Sequence, residues 1–312
     1  MRRSLNEILQ RAFDNALANW PLLLLRAATT FIALLLCVGA VVMVVMPIGV
    51  AALLAGFSFN MRDFDAEAFL AKLTSAWVLW LWVLPIAAVV LLALVAIYTF
   101  LEAGSARIYV DGERLAAASG SPMPQRDAFR AFSGKRFLAG AREGWWRVFS
   151  VWNIGWTFGS LVILVPALVV LLAVLLGRGS AAAIVIGCLG IAVILLVTIV
   201  VFFLTALWVG KATAVTIARG LAPNDALRAA WGELRRDFAR HAIVVVISIG
   251  LSMALGMLFS ALPLPFRALG TRSVLFFAGV SVHVGSWILN QACSAAINGW
   301  LLAAFVSLTE DQ

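Results

Sequence analysis

The last apolar stretch of the chain carries polar side chains spaced as one face of a helix. They are His283, Ser286, Asn290, Ser294 and Asn298. Intervals of three and four residues place side chains on the same side of an α-helix. Imidazole, hydroxyl and amide groups donate and accept hydrogen bonds, so this candidate polar face could line a cavity or a transport path. It could also supply interhelical hydrogen bonds, each worth about 0.6 kcal/mol on average, and we favour that interpretation.

Basic and aromatic residues are interleaved in two other segments. These candidate lipid-headgroup contacts are Arg142, Trp145, Trp146, Arg147, Trp231 and Arg235. Clusters of cations near a membrane bind anionic lipid headgroups. Tryptophan also anchors helices at the interface in most membrane proteins, whatever their function. Interfacial anchoring is therefore the general explanation, and headgroup recognition is the functional hypothesis.

Small residues recur at helical spacing in two apolar stretches. They are Ser248, Ser252 and Gly256 in one stretch, and Gly155 and Gly159 in the other. Small residues four positions apart let two membrane helices approach closely. We expect these residues to pack within the chain, and a seam between two copies of the chain is the alternative.

No arrangement typical of an enzyme is found in the sequence. Only two histidines occur, His241 and His283, and no serine-hydrolase, zinc-protease, phosphate-loop or CxxC motif accompanies them. The three cysteines lie inside apolar stretches, where we expect small buried side chains without disulfides. Catalytic residues, a metal site and a cofactor are therefore not expected.

Charged residues outside the apolar stretches are expected to face water or to pair with each other. Glu102, Asp111 and Glu143 lie near arginines, and nothing in their spacing favours catalysis over salt bridges to those arginines. Tyr109 and Arg107, with Asp111 and Glu113, are expected to extend past the membrane and to form a solvated helix end.

Six stretches of the chain contain no Asp, Glu, Lys or Arg. They are residues 27–61, 73–101, 148–177, 179–210, 241–266 and 273–309. A helix of roughly 20 apolar residues crosses a bilayer core, and each stretch is longer than that. Only 12% of the residues are charged, about half the usual share for a soluble domain. The sequence predicts an all-α, polytopic membrane protein in which residues 1–312 form a single integral membrane domain.

The basic residues indicate the orientation of these six spans. Eighteen of the 23 Lys and Arg residues lie in segments 1–26, 102–147 and 211–240, and the other five lie in the intervening loops. Cytoplasmic loops are enriched in Lys and Arg, so both termini are predicted to be cytoplasmic. Because the cations sit at the ends of spans, the net charge of +8 does not indicate nucleic-acid binding.

The spans are predicted to form three hairpins, each preceded by an interfacial amphipathic helix. Apolar and aromatic residues recur at helical spacing before each pair of spans, with arginines on another face, which is typical of helices lying in the membrane interface. Possible repeat units cover residues 4–105, 126–220 and 222–309.

Two of these entry segments, GAREGWWRVFSVWNIGWT and APNDALRAAWGELRRDF, resemble those of a loose bacterial group. The group includes the YciC-like inner-membrane proteins and the membrane domain of some glycerophosphodiester phosphodiesterases. The resemblance implies a multi-pass protein of the bacterial cytoplasmic membrane. The phosphodiesterase domain has no counterpart in this chain, so its activity is not carried over.

Two functional hypotheses follow. The first is an accessory or scaffold protein without catalytic activity that binds membrane lipids, with anionic headgroups on the cytoplasmic side, and possible partners in other membrane subunits or a second copy of itself. The second is a transporter or lipid-moving protein whose path follows the candidate polar face. The lack of charge in mid-span favours the first hypothesis, because ionisable groups inside a membrane usually mark ion or substrate pathways.

Overall fold

The computed structural model describes residues 3–54, 77–121, 124–177, 180–264 and 273–311. These residues form eight α-helices and one 3₁₀ turn, Arg126–Phe129. The helices are α1 (Leu5–Ala18), α2 (Pro21–Leu54), α3 (Trp77–Ala118), α4 (Gly134–Leu176), α5 (Ala181–Arg219), α6 (Pro223–Arg236), α7 (Phe238–Ala261) and α8 (Ser273–Glu310).

Six of the helices are long and apolar enough to cross a membrane, namely α2, α3, α4, α5, α7 and α8. Much of their apolar surface faces outward, as it does for Leu35, Leu196 and Met257, which are 70%, 65% and 66% exposed. A multi-pass membrane protein meets lipid with such surface, because every backbone polar group of a helix is already satisfied internally. The predicted outer turns of the three hairpins, in residues 55–76, 178–179 and 265–272, lie outside the described residues.

The two short helices begin where local signals place them. The Ser4 hydroxyl accepts from the Glu7 backbone N–H at 3.3 Å, and the Glu7 carboxylate accepts from the Ser4 N–H at 2.7 Å, which is a capping box. Helix α6 begins with Pro223, whose fixed φ and missing N–H suit a first helical position.

The second predicted amphipathic helix is not a separate element. Residues 134–149 are the first turns of the long helix α4. A side-chain cap at Ser133 starts this helix, and no proline interrupts it before Pro166. The amphipathic stretch and the apolar stretch therefore form one continuous helix, with no proline between them to bend it.

The chain divides into two compact units. One comprises residues 28–98, and the other comprises residues 1–27 and 99–312. The larger unit contains a core in which α1 packs on the last turns of α8, beside α3 and α5. Its buried residues include Ile8, Ala12, Ile108, Leu207, Ala303 and Val306. Protein thus covers the part of the apolar face of α1 that carries Ile8 and Ala12, whereas Phe13 of the same helix is 55% exposed.

Buried ion pairs cross this core. Arg26 and Glu102 form a bidentate pair at 2.8 and 3.0 Å, with both side chains almost fully buried. Arg11 donates twice to Glu113, at 3.2 and 2.7 Å. As expected, Glu102 is in a salt bridge, and so is Asp111, which lies 3.4 Å from Arg107.

The expectation of a solvated helix end was wrong for Tyr109 and Glu113, whereas the Arg107 and Asp111 side chains are 39% and 24% exposed. Tyr109 is 0% and Glu113 is 1% exposed. The reason is that α1, distant in sequence, covers this part of α3. The Asn15 amide donates to the Tyr109 carbonyl at 2.9 Å across the contact.

A third buried pair joins three helices. Lys211 of α5 is fully buried, and its Nζ lies 2.9 Å from the Glu233 carboxylate of α6 and 2.8 Å from the Thr309 hydroxyl of α8. Arg219 binds the other carboxylate oxygen of Glu233 at 2.7 Å. Charged hydrogen bonds of this kind are stronger than neutral ones, and this one fixes which face of α6 turns inward.

We predict that Glu113→Gln destabilises the protein by about 3–5 kcal/mol, because it removes the carboxylate from a buried pair while the Arg11 guanidinium stays buried. Asp111→Asn, on the same helix, is the matched control. Its ion pair is partly exposed, and such pairs contribute about 0–1 kcal/mol. Denaturant unfolding in detergent, followed by circular dichroism, measures both variants. Equal losses would contradict the structural role of the buried pair.

Candidate functional site

A groove of about 700 Å³ lies between α4, α5 and α6. Its size is within the range of small-molecule binding sites. Most of its lining is apolar or aromatic. The lining residues are Phe158, Gly159, Val162, Val201, Leu204, Thr205, Trp208, Asn224, Leu227, Arg228 and Trp231.

Close packing of two long helices forms the base of the groove. A Cβ placed on Gly159 of α4 would lie 3.2 Å from the Cβ of Thr205 on α5 and nearer still to its hydroxyl, and Gly155 faces Val209 in the same way. The missing side chains let the two backbones approach, as small residues do between membrane helices. The structure therefore places Gly155 and Gly159 at a contact within the chain.

One tryptophan joins the walls of the groove. The indole N–H of Trp208 donates to the Leu227 carbonyl of α6 at 2.8 Å. Its ring meets Trp231 edge-to-face at 6.0 Å and Phe158 at 6.1 Å. Since these contacts come from three helices, Trp208 sets the position of α6 over the groove.

A positive charge stands at the α6 end of the groove. Arg228 is exposed, and it is the one charged residue in the lining. Within the described ranges, no carboxylate lies within ion-pair distance of it. Trp231 follows three positions later, and the Arg235 guanidinium lies over its ring at 5.2 Å from the centroid. Helix α6 thus presents a cation, an aromatic ring and a second cation along one face.

The other predicted headgroup contacts lie on the first turns of α4. Arg142 and Arg147 are exposed, and Trp146 is 64% exposed. Trp146 stacks on Phe149 at 5.4 Å, while Trp145 is half-buried beside them. The Arg147 guanidinium donates to the Gly220 carbonyl at 2.9 Å, so this arginine also holds the loop between α5 and α6.

The candidate polar face of α8 does not meet the groove. His283 and Asn298 are exposed, Asn290 and Ser294 are half-buried, and only Ser286 is buried, at 5% exposure. None of these residues lines the groove.

The serine and glycine series of α7 is placed unevenly. Ser248 is buried and donates to the Val245 carbonyl at 3.0 Å, whereas Ser252 is exposed. A Cβ on Gly256 would meet nothing within 4 Å among the described residues. Packing within the chain thus accounts for Ser248, and for Ser252 and Gly256 a seam with a second copy stays a prediction.

Sequence reasoning did not select Trp208 or Phe158, whereas it noted Arg228 near Trp231 as part of a basic and aromatic cluster. The sequence pattern that indicates Arg228 is its spacing, because residues 224, 228, 231 and 235 lie on one face of a helix. No sequence pattern distinguishes Trp208 or Phe158, since each lies in a charge-free stretch and contacts α6 only in the folded protein.

The three cysteines are free. Cys293 is half-buried, whereas Cys37 and Cys188 are exposed, so the protein does not bury these two side chains as expected. Within the described segments, no three His, Cys, Asp or Glu side chains come together as they would around a metal ion.

No family model matches the chain, and no curated protein or solved structure is significantly similar to it. The resemblance to YciC-like proteins therefore stays a prediction.

We predict that Gly159→Ala destabilises the protein by about 1–3 kcal/mol, the usual cost of overpacking, because Thr205 is a stiff β-branched neighbour. Gly256→Ala is the control, since its Cβ meets open space and alanine favours helix by up to about 1 kcal/mol. Unfolding midpoints in detergent measure both. An unchanged midpoint in Gly159→Ala would show that the two helices do not meet here.

Proposed function

We propose that the protein is an accessory, non-catalytic component of the bacterial cytoplasmic membrane that binds anionic lipid headgroups on the cytoplasmic side. The supporting observation is the exposure of arginine next to tryptophan, at Arg142 and Trp146 on α4 and at Arg235 and Trp231 on α6. Tryptophan prefers the interface, and each cation near an anionic leaflet contributes about 1 kcal/mol.

The buried and the exposed cations have different roles, and this difference supports the proposal. Buried cations such as Arg11, Arg26 and Lys211 are held by carboxylates of the same chain, so they stabilise the fold. The exposed arginines on α4 and α6 are accessible to a ligand. With both termini in the cytoplasm, these arginines face the leaflet in which anionic lipids attract polybasic segments.

Partner binding through the spans completes the proposal. The outward faces of Ser252 and Gly256 on α7 give a second copy or another membrane subunit a surface of small side chains. In lipid such contacts depend on close packing, because no hydrophobic driving force acts between helices there.

A transporter with a path along α8 is the second candidate. Burial of Ser286 beside half-buried Asn290 favours it, since polar side chains inside the membrane often mark a pathway.

Neutralising Arg142 and Arg235 with glutamine is expected to lower the enrichment of phosphatidylglycerol over phosphatidylcholine around the protein by about fivefold per arginine, the equivalent of about 1 kcal/mol each. Spin-labelled lipids in mixed bilayers measure the enrichment. Arg107→Gln is the charge-matched control, because Asp111 already pairs with that arginine. A loss as large in the control would mean that net charge alone sets the preference.

For the transport hypothesis, we expect Asn290→Leu and Asn298→Leu to leave the lipid composition and any reconstituted lipid flux unchanged, since Asn298 is exposed and neither residue lines the groove between α4, α5 and α6. Fluorescent-lipid exchange in proteoliposomes measures the flux. A flux that is present in the wild type and lost in both variants would favour the transporter instead.

A further inference from the structure

We propose that the groove between α4, α5 and α6 holds one acyl chain of an anionic phospholipid whose phosphate binds Arg228. The inferred site rests on the proposed lipid binding and assigns it to one place in the fold. The groove runs from an apolar end to a charged end, which supports a phospholipid as its occupant. Its walls at Val162 and Val201 belong to charge-free spans, and its other end, at Asn224 and Arg228, belongs to the charged helix α6. A phospholipid has the same polarity from chain to headgroup.

The walls fit a hydrocarbon chain better than a polar solute, because apart from the largely buried Thr205 they are apolar or aromatic. Phe158, Val162 and Leu204 offer no hydrogen bonds, and the Trp208 indole N–H is already used by the Leu227 carbonyl. A sugar or peptide in this groove would leave its own polar groups unsatisfied, which costs several kcal/mol per group in an apolar environment. A chain of methylene groups carries no such cost.

Binding of the phosphate to Arg228 makes the groove favour an anionic phospholipid over the lipid of the surrounding bilayer. Lipid tails are as apolar as leucine, so burying a chain in the groove gains little relative to the bilayer. A guanidinium binds phosphate through two parallel hydrogen bonds, and Arg228 has no carboxylate partner among the described residues to compete. Asn224, one turn before it, can donate from its side-chain amide, and Trp231 covers the interfacial end of the chain.

The walls are fixed before a lipid arrives. Trp208 contacts both Phe158 and Trp231, and the buried Lys211–Glu233 pair holds α6 against α5. A preformed groove orders only the ligand, which keeps the entropic cost of binding low. One retained lipid is therefore expected, distinct from the exchanging lipids around the remaining surface.

Native mass spectrometry of the protein released from bilayers of phosphatidylglycerol and phosphatidylcholine tests the site. The wild type is expected to retain one phosphatidylglycerol. Leu204→Trp, which fills the groove, is expected to lower this occupancy about tenfold, equivalent to about 1.4 kcal/mol. Leu196→Trp, on the outward surface of the same helix, is the control. Arg228→Gln is expected to reduce the preference for phosphatidylglycerol while a lipid can still occupy the groove.

Three results would overturn the site. They are a wild type that retains no lipid, an unchanged occupancy in Leu204→Trp, and a second protein chain in place of the lipid. Should Leu204→Trp fail to fold by circular dichroism, Val162→Phe fills the groove from the opposite wall. Anionic enrichment around the protein that persists without a retained lipid would refute the groove alone. Absence of any anionic enrichment would refute the proposed function as well.

Discussion

The Lys211–Glu233 pair determines how the surface of the larger unit is arranged. Lysine at 0% exposure is costly to bury, and a carboxylate at 2.9 Å with a hydroxyl at 2.8 Å offsets that cost. Because the carboxylate belongs to α6, the pair turns one face of this short helix inward. Ala226, Ala230 and Leu234 follow Glu233 into the core. The remaining face is then free to present its arginines and tryptophan outward beside the groove.

The same principle holds at the other buried pairs. Arg26 pairs with Glu102, and Arg11 pairs with Glu113, so each of these buried cations is balanced by an anion on a neighbouring helix. A buried pair adds little net stability compared with apolar residues, but removing one partner is strongly unfavourable. These pairs therefore act mainly by excluding other arrangements of helices whose apolar surfaces would pack in many ways.

The spans could be predicted from sequence because hydropathy and charge are local properties, and the capping box at Ser4 and the proline at 223 are local too. The burial of Glu113 could not. Its partner Arg11 is more than a hundred positions away, and nothing near Glu113 distinguishes a buried carboxylate from a solvated one. The groove likewise depends on residues that lie far apart in the sequence. Arg228 and Trp231 share a visible spacing, but the apolar walls come from two other helices whose sequences offer only charge-free apolar residues.

In the proposed site, lipid selectivity has to arise at the interface and not in the bilayer core. Inside the core, a chain in a groove and a chain in the bilayer have nearly the same surroundings, so the walls at Val162 and Leu204 can shape a site without discriminating among lipids. At the α6 end, the dielectric constant of the surroundings rises toward that of water, and the interaction of a guanidinium with a phosphate depends on how far water is excluded. Trp231, half-exposed beside Arg228, limits that access. In the proposed site the tryptophan and the arginine would thus act together, the ring by reducing hydration and the charge by binding the phosphate.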